Sequence, residues 1–327
     1  MRDAVPVIRL DHLTKRYGPI TALDDVTLSV RAGAVGLLGP NGAGKSTLIS
    51  LLLGQVPATG GSGSVLGFDI RRQRRSVRQR TGFVPETDCF IPGMSGVGYV
   101  VFAGRLAGMD PSSAMQRTHQ MLDLVELENE RYRPVETYSA GMKQRVKLAQ
   151  ALIHDPELVF LDEPTNGMDP RGRRLMLRLM NELPRRGVSI LLSSHLLPDV
   201  EEVCERVIVL GRGRVLAEGE IPEMRKPSET RCRVRVAGDD GPFRDRLRGA
   251  GVEIAGEGEG ALDLELPAAN RHDLVLGAAV RAGVHVRELR PHRSSLEQVF
   301  LDALQAQREA DRAAMHPAGG GVDARTP

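Results

Sequence analysis

A nine-residue segment, Gly39-Pro40-Asn41-Gly42-Ala43-Gly44-Lys45-Ser46-Thr47, lies between an apolar run at 35–38 and a stretch with helical spacing at 45–53. Few folds can accommodate this arrangement. Glycine lets the backbone curl until successive N–H groups face one point. A helix that begins there adds further N–H groups with no partner of their own. Read through Gly39, Gly44, Lys45 and Ser46, the pattern G-x-x-x-x-G-K-[ST] predicts a phosphate-binding loop between a buried strand and a helix. Lys45 would place positive charge at the β- and γ-phosphates, and Ser46 would offer a hydroxyl to Mg2+.

The surrounding pattern predicts an α/β sheet domain over about residues 1–222. Short apolar runs at 8–10, 26–30, 35–38, 65–67, 158–161, 188–192 and 207–210 read as strands. Gly54 closes the first helix, and Thr59-Gly60-Gly61-Ser62-Gly63 reads as a turn. Residues of about 88–140 change character and predict a helical insertion, with Met115, Leu122 and Val125 on one face. Arg71, Arg74, Arg75 and Arg78 share a helical face that reads as solvated. Near 222–227 the composition shifts, and 228–307 reads as a small α+β domain of βαββαβ order. It ends in a helix opened by a capping-box pattern at Ser294-Ser295-Leu296-Glu297. From about 308 to 327 no core-forming residues follow, and a disordered tail is expected.

Two carboxylates follow the apolar run Leu158-Val159-Phe160-Leu161, namely Asp162 and Glu163. A buried parallel strand would deliver both to its carboxyl edge beside the phosphate loop. Asp162 then reads as a group of the Mg2+ shell and Glu163 as the base that polarises the attacking water. His195 follows another apolar run through Ser193-Ser194 and is placed to reach the γ-phosphate. The other seven histidines adjoin no motif and read as structural.

Composition excludes several function classes. The 44 basic and 42 acidic residues leave a formal charge of only +2, so no global field recruits nucleic acid. Three scattered cysteines, Cys89, Cys204 and Cys232, make no disulfide framework or metal spacing. The first ten residues lack the apolar run of a signal peptide, and no stretch reaches the ~20 apolar residues of a membrane span. The chain is therefore expected in the cytoplasm, and any membrane it serves is crossed by another protein.

With the phosphate loop and the acidic pair in place, Tyr138-Ser139-Ala140-Gly141-Met142-Lys143-Gln144 completes a set that resembles the nucleotide-binding subunit of ATP-binding cassette (ABC) transporters over about residues 7–220. The resemblance implies a P-loop NTPase core of ABC type that hydrolyses ATP with Mg2+. It implies a head-to-tail homodimer in which Ser139, Ala140 and Gly141 of one subunit cap the γ-phosphate held by the other. By position, Tyr17 would stack on adenine and Asp169 would sit at the dimer seam. Glu86, in Gly82-Phe83-Val84-Pro85-Glu86, stands where the family commonly has a glutamine that contacts Mg2+ or the water.

The signature also departs from the commoner Leu-Ser-Gly-Gly-Gln while keeping its serine and second glycine. Together with Ser295-Leu296-Glu297-Gln298-Val299-Phe300, these departures resemble bacterial exporters whose permease is encoded separately. The expected function is the ATPase subunit of such an exporter, peripheral on the inner face of the cell membrane, with no nucleic-acid partner. The alternative is a soluble ABC-type ATPase acting on nucleic acid or ribosomes. Proteins of that kind usually carry a second cassette, a long coiled coil or a basic arm, and none is visible here.

Overall fold

A computed structural model describes residues 6–315 apart from 225, 226, 238, 239, 259 and 294. Part of the expected linker, Ser294 of the expected cap and the tail from His316 onward lie outside the described residues. The chain divides into two units, Met1–Ile221 with Phe300–Pro327, and Pro222–Val299.

The first unit begins with β1 (Ile8–Tyr17), β2 (Ile20–Val30), β3 (Ala34–Leu38), α1 (Lys45–Leu52), β4 (Gly60–Val65) and β5 (Phe68–Asp69). It continues through α2 (Arg74–Arg80), β6 (Thr81–Val84), α3 (Gly96–Leu106), α4 (Pro111–Leu124) and α5 (Ala140–Leu152). Then come β7 (Leu158–Asp162), α6 (Pro170–Arg185), β8 (Ser189–Ser193), α7 (Leu197–Val203), β9 (Arg206–Gly211), β10 (Arg214–Glu220) and the single turn α8 (Ile221–Met224). Six strands form one sheet in the order β10-β9-β3-β8-β7-β6. All neighbours from β9 to β6 are parallel, and β10 alone runs antiparallel. Every residue of β3, β7 and β8 is buried, which is why these strands read as unbroken apolar runs instead of alternating ones. Leu37, Phe160, Leu191 and Ile208 from this sheet join Leu48 and Ile49 of α1 in one core.

A second sheet, β2-β1-β4-β5, is antiparallel, and its inward residues Ile8, Leu10, Val26 and Val65 share that core. Here the structure corrects the expected turn at 59–63, because residues from Gly60 onward are strand β4, paired with β1. Glycine marks a close backbone approach in this case and not a turn. A Cβ on Gly61, which has φ +69°, would stand 2.1 Å from the carbonyl oxygen of His12.

The helical insertion is built from α3, α4 and α5. Asp110 caps α4, its carboxylate accepting from the N–H groups of Ser112 and Ser113 at 3.1 and 3.0 Å. Ala114, Thr118, Met121 and Leu122 are the buried face of α4, whereas Met115 is 44% exposed, contrary to its expected place beside Leu122. At about 100° per residue, Met115 falls at the edge of the face centred on Ala114, Thr118 and Met121.

The second unit contains β11 (Pro227–Ala237), α9 (Gly241–Gly249), β12 (Glu253–Gly258), β13 (Ala261–Glu265), α10 (His272–Ala282) and β14 (His285–Arg293). Its antiparallel sheet has the order β12-β13-β11-β14, and Val234, Leu262 and Leu264 of the sheet pack with Phe243, Leu247, Val275 and Ala279 of the two helices. A last helix, α11 (Leu296–Met315), starts in this unit, and from Phe300 its residues group with the first, where the Gln307 amide donates to the Gly211 carbonyl at 3.0 Å. Ser295, one residue later than the capping pattern suggests, accepts from the N–H of Gln298 at 3.1 Å. The helix runs past Arg308, where disorder is expected, because residues 309–315 are mostly strong helix formers such as alanine, glutamate and arginine.

The tight approach of β4 to β1 yields a test. Gly61→Ala combines a left-handed backbone with a backbone clash and is expected to cost about 2–4 kcal/mol. The check is the urea midpoint of the first unit.

Candidate nucleotide site

Parallel pairing gathers four loops at one edge of the six-stranded sheet. The glycine loop leaves β3, Pro85-Glu86 leaves β6, Glu163 follows β7, and Ser194-His195 follows β8. Together with Tyr17 at the end of β1, they line a cavity of about 980 Å³. Residues 41–47, Glu86, Asp162, Glu163 and His195 all line it. Gly39 and Pro40 do not line it; their carbonyl oxygens instead accept from Lys45 Nζ at 2.6 and 3.2 Å.

Gly44 is the N-cap of α1 at φ +104°, and a Cβ there would meet the Ala22 carbonyl oxygen at 2.6 Å. No side chain caps this helix, so its first N–H groups face the cavity edge without a side-chain acceptor. Burial lowers the Lys45 pKa, and the negative charges of Glu163, Asp162 and Glu86 oppose that fall. Tyr17 is 45% exposed, with the Lys15 ammonium 4.5 Å from its ring centroid, which leaves aromatic surface open at the cavity wall.

Glu163 is held by two bonds to the neighbouring strand exit. Its N–H donates to the Ser193 carbonyl at 2.9 Å, and its Oε2 lies 2.8 Å from His195 Nδ1. The backbone turns to φ +49° at Glu163, a left-handed conformation rare outside glycine, which frees its side chain from the strand direction of Asp162. Burial raises the Glu163 pKa, and His195 and Lys45 oppose that rise. With Nδ1 engaged by Glu163, Nε2 is the ring nitrogen that remains for a phosphate contact.

Ser139, Gly141 and Asp169 are not brought to this cavity. They line a separate one of about 580 Å³ with Arg145, Arg171 and Arg174. Ser139 caps α5, accepting from the Met142 N–H at 3.3 Å, and Ala140 is the first residue of that helix. Asp169 caps α6 by accepting from the N–H groups of Arg171 and Gly172, each at 3.3 Å.

Several residues at the site carry no sequence signal. Ile20, Thr21, Ala22 and Asn166 complete the wall of the first cavity. Asp199, 1% exposed, accepts from Thr165 Oγ1 at 2.5 Å and Arg173 Nε at 2.7 Å, tying α7 to the loop after Glu163 and to α6.

A family model described as ABC transporter matches residues 23–166. The linearmycin resistance ATP-binding protein LnrL of Bacillus subtilis (strain 168) is 31% identical over 303 residues, covering 90% of this chain and 97% of that protein. A Nod factor export ATP-binding protein I of Burkholderia lata is 37% identical over 260 residues, covering 77% of this chain and 85% of its own. Among solved structures, an ATP-binding subunit of an ABC transporter superposes with a TM-score of 0.62 at 30% identity, over 67% of this chain and 92% of that one. Among the described residues no helix is long and apolar enough to cross a membrane. The chain belongs to the ATP-binding subunits of the ABC transporter family and is an ABC ATPase.

Proposed function

We propose that two copies of this chain bind MgATP at two composite sites in a head-to-tail homodimer, and that closure of the dimer drives a separate membrane permease in the direction of export. The observation that carries this reading is the separation of the two cavities. In one chain the Ser139 helix end faces a different cavity from the glycine loop, so a γ-phosphate held by Lys45 meets Ser139, Ala140 and Gly141 only on another chain. A relative dimeric cassette has been solved bound to ADP and phosphate. Export is supported by the names of the relatives, one for Nod factor export and one for linearmycin resistance. The protein would then work in the cytoplasm, against the inner face of the membrane, and without nucleic acid.

The cavity suits the nucleotide and its ion. Glycines leave room for phosphate oxygens, and Lys45 with the uncapped end of α1 supplies positive charge. Tyr17 offers a stacking surface for adenine. Among the described residues no group of three or more His, Cys, Asp or Glu side chains is arranged to hold a metal unaided. A hydroxyl from Ser46 with carboxylates from Asp162 and Glu86 is instead the incomplete, all-oxygen set that Mg2+ takes when phosphates and waters fill the rest. Bound there, Mg2+ supplies neutralising charge at the β- and γ-phosphates.

Glu163 takes the proton of the attacking water, and His195 holds Glu163 in place while facing the γ-phosphate. Lys45 and the partner's serine-capped helix stabilise charge on the transferred group. Asp169, which lines the second cavity, would meet the other copy at the seam.

Two outcomes are expected. Glu163→Gln retains ATP binding, loses turnover by about 10² to 10⁴, and accumulates an ATP-bound dimer in sedimentation. Turnover near wild type refutes the assignment. Because burial holds the Glu163 carboxyl above the ordinary glutamate value, kcat should fall on the acid side at a higher pH than a solvated glutamate would allow. His195 opposes that rise, so His195→Ala should move the acid limb of the kcat profile further up in pH; a shift downward, or none, contradicts the pairing.

A further inference from the structure

Lys147 is among the largest fully buried side chains of the described residues, with 0% exposure. It lies on α5, the helix capped by Ser139, and no step of hydrolysis calls on it. A buried ammonium persists only when its protons are met by acceptors. Lys147 Nζ donates to the carbonyl oxygens of Pro85 at 2.9 Å and Glu86 at 3.2 Å, and stands 3.4 Å from Asp88 Oδ1. Three donors thus meet three acceptors, all within four consecutive residues.

One turn earlier on α5, Lys143 grips the same segment. Its ammonium donates to Asp88 Oδ2 at 3.0 Å and lies 5.9 Å from the ring centroid of Phe90. Phe90 in turn packs edge-on against Tyr99 of α3, with centroids 5.1 Å apart. Residues 85–90 are therefore clasped by the helical insertion from both sides of Glu86, whose side chain lines the nucleotide cavity. Packing alone does not call for a lysine here. Val146, Leu148, Ala149 and Leu152 make the rest of the buried surface of α5 largely apolar, and an apolar side chain of similar volume would avoid the desolvation.

We propose that Lys147 is a positioning residue for ATP hydrolysis: by fixing the main chain at Pro85 and Glu86 it sets the Glu86 carboxylate in the nucleotide cavity, and so ties that carboxylate to the helix that carries Ser139. The proposal rests on the reading of Glu86 as a contact of the metal or the water. Asp88 is the outer half of the clasp, completing the charge pair from the solvent side.

A double-mutant cycle on the full chain tests it, with kcat and equilibrium ATP affinity measured for wild type, Lys147→Met, Glu86→Ala and the pair. Lys147→Met keeps the side-chain volume and should lower kcat by about tenfold or more through misplacement of Glu86, with ATP affinity changed by less than about twofold. In the Glu86→Ala background the same substitution should cost less than about twofold, since its effect passes through a group already removed. Should Lys147→Met not accumulate as folded protein, Asp88→Asn, at a side chain 45% exposed, takes its place in the cycle, with a smaller effect in the same direction. Equal losses in both backgrounds, or an unchanged kcat, overturn the proposal. ATP-dependent dimerisation of Glu163→Gln reports the functional reading by itself, so failure of one is not failure of the other.

Discussion

Parallel, in-register pairing of β3, β8 and β7 is the constraint on which the site depends. Leu37 pairs with Ser193 and Ser193 with Asp162, so the glycine loop, the acidic pair and the histidine loop leave the sheet at one level. Two bonds from Glu163 to the β8 exit then fix its carboxylate against His195. A one-residue slip in either pairing would point every side chain of the strand to the opposite face. The site is thus a consequence of register, and burial of all three strands is what makes the register costly to change.

The same burial accounts for what could be read from the residues alone. Strands enclosed on both faces appear as apolar runs, and two of these runs lead into residues that reach the cavity, Asp162 and Glu163 in one case and, two residues past the strand, His195 in the other. What could not be read depends on contacts distant in sequence. Gly60 and Gly61 look like a turn until β1 is laid beside them, and at Gly61 the lack of a side chain serves a neighbour about fifty residues away. Asp199 and Lys147 are ordinary surface-type residues by composition, and only the folded chain reveals that both are enclosed with their partners. The Ser139 segment is a further kind of case. Its resemblance to a family signature was legible, yet within a single chain its serine caps α5 and the segment does not line the nucleotide cavity.

That gap gives the chain its functional logic. Each copy holds a complete phosphate cradle and, in a separate cavity, a serine-capped helix end flanked by Arg145, Arg171 and Arg174. Neither half encloses a nucleotide from all sides. In the proposed head-to-tail pair, the positive end of α5 would face the γ-phosphate, and the presence or loss of that phosphate would decide whether the two copies hold together. On this proposal, hydrolysis drives motion because one phosphate is shared by both chains.

The most direct measurement is an interchain cross-link between the two halves. One tagged copy carries Ser139→Cys, a differently tagged copy carries Asn41→Cys, and both carry Glu163→Gln and Cys89→Ser, the last to remove the exposed native thiol. The account predicts a disulfide between the two tags that forms with ATP and not with ADP. A bond confined to single chains, or one indifferent to the nucleotide, would contradict it.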